Sequence, residues 1–130
     1  MRELFHENEY IEAWLVDGII EAMYKPGLRE IDLAITKQVV KDRLEASKGV
    51  SRPLFIDMNK VVDVDQASRE YLSDGDGIKY LNATAIMVKN QVTKFLANIF
   101  IRFNTPKIPT KFFTKKEDAL RWLEQFKYMN

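Results

Sequence analysis

Residues 10–25, "YIEAWLVDGIIEAMYK", are two runs of alternating apolar and polar residues on either side of Asp17-Gly18. Asp-Gly favours a two-residue type I′ turn, because both central residues of that turn need positive φ. A turn at this dipeptide pairs Val16 with Ile19. It then places Leu15/Ile20, Ala13/Ala22 and Ile11/Tyr24 on one face, and Val16/Ile19, Trp14/Glu21, Glu12/Met23 and Tyr10/Lys25 on the other. The first face is the better core face, and a slip of one residue would send all its side chains to the wrong side. A short strand from about Glu3 to Glu7 is expected to add to the hairpin edge.

Downstream the period changes. "KPGLREIDLAITKQVVKDRLEASKG" (25–49) has a turn at Pro26-Gly27, an N-cap at Asp32, apolar positions at Leu33, Ile35, Val39, Val40 and Leu44, and Gly49 as terminator, which together spell a first helix. "RPLFIDM" (52–58) is the nearly continuous apolar run of a strand buried on both faces or in mid-sheet. A second helix follows, with Val64, Ala67, Ser68, Tyr71 and Leu72 on one stripe, and ends in Asp74-Gly75-Asp76-Gly77. "NATAIMVKN" (82–90) is the next strand, and Val92, Phe95, Leu96, Ile99, Phe100 and Phe103 mark a third helix at helical spacing. "TKFFT" (110–114) is a last short strand. Thr114 and Glu117 have capping-box spacing ahead of a final helix with Ala119, Trp122, Leu123 and Phe126 on one face. A hairpin followed by alternating helices and strands predicts an α/β fold with a mixed sheet. Right-handed crossovers that keep one direction place the helices mainly on one face and leave the other open.

Composition narrows the function. At 130 residues, 46% hydrophobic and without a linker-like segment, residues 1–130 are expected to form one domain. No window approaches the apolar length of a membrane span and no signal-peptide pattern opens the chain, so a cytoplasmic location is expected. Zero cysteines and a single histidine, His6, exclude thiolate nucleophiles, histidine-based triads and Cys- or multi-His metal sites. Net charge is +1, yet residues 78–116 carry eight basic and no acidic side chains. These lysines lack Arg clustering and an RNA-binding aromatic motif, so no nucleic acid is expected as a partner.

The strand order, the "DGIIEAMYKPG" entry, the "PLFID" strand and the closing "FFTKKEDALRWL" resemble the SpoIIAA-like proteins, relatives of the STAS (sulfate transporter and anti-sigma-factor antagonist) domain. The resemblance covers nearly the whole chain and implies a SpoIIAA/STAS-like β-α fold serving as a non-catalytic regulatory protein-interaction module. It also implies that partners dock near the turn after the central strand. In STAS antagonists that turn carries an Asp-Ser-Ser type motif with a phosphorylated second serine. Aligned on "FID", the motif falls on Asp65, Gln66 and Ala67, so the phosphoacceptor is missing, and Ser68 lies one residue later.

"FIDMNKVVDVDQASREYL" (55–72) is therefore the candidate site. In open sheets the loops at the carboxyl ends of parallel strands converge with helix N-termini and bind ligands or partners. Asp57, Asn59, Asp63, Asp65, Ser68 and Asn90 are the residues expected to meet a protein partner there. Asp63-Val64-Asp65-Gln66-Ala67 also approaches the D-x-D-x-(T/V) loop of haloacid-dehalogenase-like phosphatases. Ala67 breaks its last position, and the carboxylate-free stretch 78–116 offers no metal shell, so a metal-dependent phosphohydrolase is the third reading. Helix capping alone would also explain the aspartates: Asp63 and Gln66 have capping-box spacing, and Asp65 suits the first helical turn. A small apolar-ligand or lipid-binding protein is the second reading, from Phe95, Phe100, Phe103, Phe112, Phe113, Trp122 and Phe126. No cofactor and no metal are expected. Tyr10, Trp14, Val16, Ile19 and Met23, on the hairpin face turned from the core, are expected to be covered by a second copy in a homodimer.

Overall fold

The computed structural model describes residues 2–95, 97 and 106–128. Its strands are β1 (Arg2–Glu7), β2 (Ile11–Val16), β3 (Ile19–Tyr24), β4 (Glu30–Ile31), β5 (Arg52–Asp57), β6 (Asp63–Val64), β7 (Leu81–Met87) and β8 (Thr110–Phe113). Its helices are α1 (Leu33–Ser47), α2 (Gln66–Leu72), α3 (described over 91–95) and α4 (Lys116–Leu123). Leu96, Ile99, Phe100 and Phe103 of the expected third stripe lie outside the described residues.

The hairpin closes at Asp17-Gly18 with φ of 49° and 83°, and β2 pairs with β3 in the expected register from Val16↔Ile19 to Ile11↔Tyr24. Six strands form one sheet in the order β1-β2-β3-β5-β7-β8. β1 and β2 are antiparallel neighbours, while β3, β5, β7 and β8 run parallel. The α/β, mixed-sheet class expected from the hairpin and the alternating units is what forms.

Burial follows the pleat. Ile11, Ala13, Ile20, Ala22 and Tyr24 join Val39 of α1, with Ile35, Leu54 and Ile56 packed against them, as the core of one face. α1 begins at its Asp32 cap, whose carboxylate accepts the Ile35 N–H at 2.9 Å, and stops at Lys48 and Gly49, both at positive φ. α2 packs against α1. Phe55, alternating with Leu54 and Ile56, points the other way and joins Ile19, Ala83, Ala85, Phe113, Ala119 and Leu123. This second core lies under α4. The connections that carry α1 and α2 link parallel strands added in one direction, so handedness fixes their side. α4 follows the last strand, is bound by no crossover, and returns over β5, β7 and β8. Among the described residues the second face is thus open only over the hairpin strands.

α4 begins at Lys116 after Lys115, which makes no side-chain cap bond, so the Thr114–Glu117 capping box does not form. Thr114 Oγ1 instead accepts from Gln91 Nε2 at 3.1 Å, which ties the start of α3 to the end of β8.

The Asp74–Gly77 tetrad is a structural turn. Asp74 accepts the Gly75 N–H at 2.8 Å, Gly75 has φ of 51°, and a Cβ on Gly77 would lie 1.9 Å from the Tyr71 carbonyl oxygen. Arg43, on the buried side of α1, holds this turn in place. Its guanidinium donates to the carbonyls of Lys79 (2.7 Å), Asp76 (3.2 Å) and Gly77 (3.3 Å). Burial pulls its pKa down to about 10, against the opposing influence of Asp76, so it stays charged at neutral pH.

Candidate functional site

The carboxyl ends of β3 and β5 lead into loops that are hydrogen-bonded to each other. β4, after β3, pairs in parallel with β6, after β5, with Glu30 opposite Asp63 and Ile31 opposite Val64. The Arg29 carbonyl accepts from Val62 N (2.7 Å) and Asp63 N (3.3 Å), and the Ile31 carbonyl accepts from Asp65 N (3.0 Å). Ile31 is buried and Val64 half-buried against the first core, so the ladder is anchored from below. Gly27, Leu28, Arg29, Glu30 and Val62 line an open depression of about 490 Å³ beside it. Val62 stands 64% exposed at its rim. Two-residue strands carry no periodicity, so the sequence gives no signal for this ladder, and Arg29, Glu30 and Val62 are absent from the sequence-derived site.

The expected partner-binding residues divide into two groups. Asn59 and Asp63 are exposed, and half-buried Asp57 shapes the turn into Asn59 by accepting the Asn59 N–H at 2.9 Å. Asn90 is exposed where α3 begins, and its side chain accepts the Thr93 N–H at 2.8 Å. Asp65 is the cap of α2: its carboxylate accepts the Ser68 N–H at 2.8 Å. The Ser68 side chain and backbone N–H, together with the Leu33 N–H nearby, hold its carboxyl below the usual carboxylate range. The helix start is therefore set by Asp65, and Asp63 lies in β6 instead of capping.

Ser68 is a correction. A helix beginning at Gln66 turns Ser68 inward, where it is fully buried beside the Asp65 carboxylate, and leaves Ala67 exposed. Ser68 cannot meet a partner in this arrangement. The exposed position is the alanine that stands where the resemblance would put a phosphoacceptor.

The hairpin-face patch is also smaller than expected. Ile19 is 3% exposed and belongs to the core beneath α4, and Tyr10 packs on the opposite, α1-bearing side. Trp14 remains on the open face, its Nε1 donating to Glu12 at 2.7 Å and the Arg2 guanidinium 4.1 Å from its ring centroid. Val16 lies beside it half-buried, and Met23 and Leu4 are 48% and 52% exposed. Of the aromatic set, Phe113 meets Trp122 at a tilt and Trp122 meets Phe126 edge-on, at centroid distances of 5.7 and 4.9 Å, and the three pack at the second core. Phe95 is exposed, and Phe100 and Phe103 lie outside the described residues. Among the described residues no three acidic or histidine side chains converge as a metal site, and no helix is long and apolar enough to cross a membrane.

A hairpin-led mixed sheet with a braced carboxyl edge places the molecule among the α/β proteins with a SpoIIAA-like fold. A crystal structure from Shewanella loihica PV-4, of an uncharacterised DUF3478-family protein with a SpoIIAA-like fold, matches with a TM-score of 0.61 at 18% identity, over 91% of this chain and 97% of that one. By sequence the chain belongs to the family called domain of unknown function (DUF7793), whose model matches residues 13–127. No curated protein matches it.

Proposed function

We propose that the chain is a non-catalytic regulatory module that binds a protein partner through the carboxyl edge of its sheet. The observation that carries this reading is the β4–β6 ladder. Loops that would otherwise move independently are cross-linked by backbone hydrogen bonds, so the surface they present is ordered before a partner arrives. That surface has an exposed apolar anchor, Val62, beside two carboxylates, Glu30 and Asp63, that face each other across the ladder. Like charges directly opposite oppose pairing. A partner surface with an apolar contact and a neighbouring basic group would fill the depression and neutralise the pair. Because an alanine stands at the exposed first-turn position, the contact in this reading is constitutive and not gated by phosphorylation. Affinity capture with the wild type and with Glu30→Lys tests it: a specific partner should be retained by the wild type and lost with the variant. Equal retention by both would count against it.

A further inference from the structure

We infer that the chain self-associates through β1, by antiparallel pairing of Arg2–Glu7 with the same strand of a second copy about a two-fold axis. This surface is separate from the carboxyl edge and lies outside residues 13–127. Among the described residues β1 is an edge of the six-stranded sheet and is bonded on one side only, to β2. An edge strand of this length offers a row of free backbone groups to another chain.

The sequence of β1, "RELFHE", is complementary to its own reverse. Run antiparallel to itself with Phe5 left as the extra residue of a β-bulge, it sets Arg2 against Glu7, Glu3 against His6, and Leu4 against Leu4 of the second copy. A slip one way sets Glu3 against Glu7, and a slip the other way sets Arg2 against His6. Only the central register gives Arg2 an acidic mate, because His6 is neutral at pH 7; opposite charges support a cross-strand pair and like charges oppose it.

A β-bulge brings the paired charges onto the same side of the sheet. In a regular strand, residues 2 and 7 point to opposite faces. Here the register shifts between Leu4 and His6. Arg2 lies opposite Val16 and Glu7 opposite Glu12, both on the open Trp14 face, while Glu3 opposite Leu15 and His6 opposite Ala13 both lie on the α1 face. Each charge thus meets its mate on one face. The backbone agrees: Val16 bonds toward β3 at the hairpin's closing pair, so Arg2 and Glu7 face β2 in non-hydrogen-bonded pairs, with their N–H and C=O groups turned outward.

Present contacts leave these groups available. Glu7 pairs with Lys25 at 2.7 Å, with side chains 43% and 34% exposed, which is a weak surface bridge. Arg2 rests on Trp14, and Leu4 is 52% exposed at the centre of the strand. Charges and bulges also serve to keep edges apart. Charges of one sign would repel a second copy, whereas this pattern sets Arg2 against Glu7. Pairing would also join the open faces of two copies, so that Leu4, Trp14 and Met23 form one continuous strip across the axis.

The test is sedimentation velocity on the full chain from low to high micromolar concentration. The wild type should dimerise. Arg2→Glu and Glu7→Arg should each weaken the dimer at least tenfold, and the double variant Arg2→Glu/Glu7→Arg should restore it. Within one copy the two residues lie about 16 Å apart along the strand, so restoration can come only from contact between copies. Circular dichroism checks that each variant is folded. A wild type that stays monomeric at high micromolar concentration, a dimer indifferent to both single swaps, or a double variant that stays monomeric would overturn the inference.

Discussion

The backbone N–H of Asp65 donates to the carbonyl of Ile31 at 3.0 Å, so the residue that caps α2 is held by the last residue of β4. One side chain thereby fixes where α2 begins, and the ladder fixes where that side chain sits. Asp65→Ala should lower the thermal midpoint and fray α2, measurable by hydrogen exchange at Ser68 and Arg69, while Asp65→Asn should retain most of the cap. The depressed carboxyl pKa adds a sign. This contribution is present above the unfolded-state value near 3.8 and is lost as pH falls through the lower folded value.

His6 supplies a second pH dependence in a different window. Its ring is mostly buried with Nδ1 unpartnered, and burial lowers its pKa below 6.5; Asp42 opposes that shift and Arg43 adds to it. The unfolded chain therefore binds the proton more readily. Stability should be full above pH 6.5 and decline as pH falls through the folded value, before the carboxylates titrate. Melting temperatures between pH 7.5 and 5 should show this slope in the wild type and a much shallower one in His6→Phe.

Arg43 and Gly77 form a structural unit far from the carboxyl edge. Gly77→Ala would push a methyl group into the Tyr71 carbonyl and should cost about 3 kcal/mol, at the upper end for overpacking. Arg43→Met strands three carbonyls and should cost about 2–3 kcal/mol. Urea melts measure both. Neither change should alter partner affinity in the folded protein.

Asp63→Lys separates stability from function. Opposite Glu30 it replaces a repulsive cross-strand pair with an attractive one and should raise stability by about 0.5 kcal/mol. The same change should weaken binding to the partner. A gain in midpoint with undiminished affinity would show that the carboxylate pair is not part of the docking surface.

The sequence carried the hairpin register in full, because Asp17-Gly18 admits one tight turn and the alternation around it admits one face. It carried α1 as well, where Asp32 and Gly49 bracket a long periodic run. It could not choose between Asp63 and Asp65 as the cap of α2, since each has a suitable residue three positions on. That choice depends on β6, which is too short to leave a pattern. Arg43 reads as an ordinary helix-surface residue because its partners are backbone carbonyls 33–36 residues away. The side taken by α4 was also hidden, because no following strand constrains it.

Titration calorimetry of a captured partner against three proteins tests the docking edge most directly: the wild type, Val62→Asp at the rim, and Met23→Asp on the open hairpin face. Val62→Asp should weaken binding at least tenfold while its melting temperature stays near wild type, and Met23→Asp should bind like wild type. Wild-type affinity in Val62→Asp, or loss of binding confined to Met23→Asp, would contradict the docking edge.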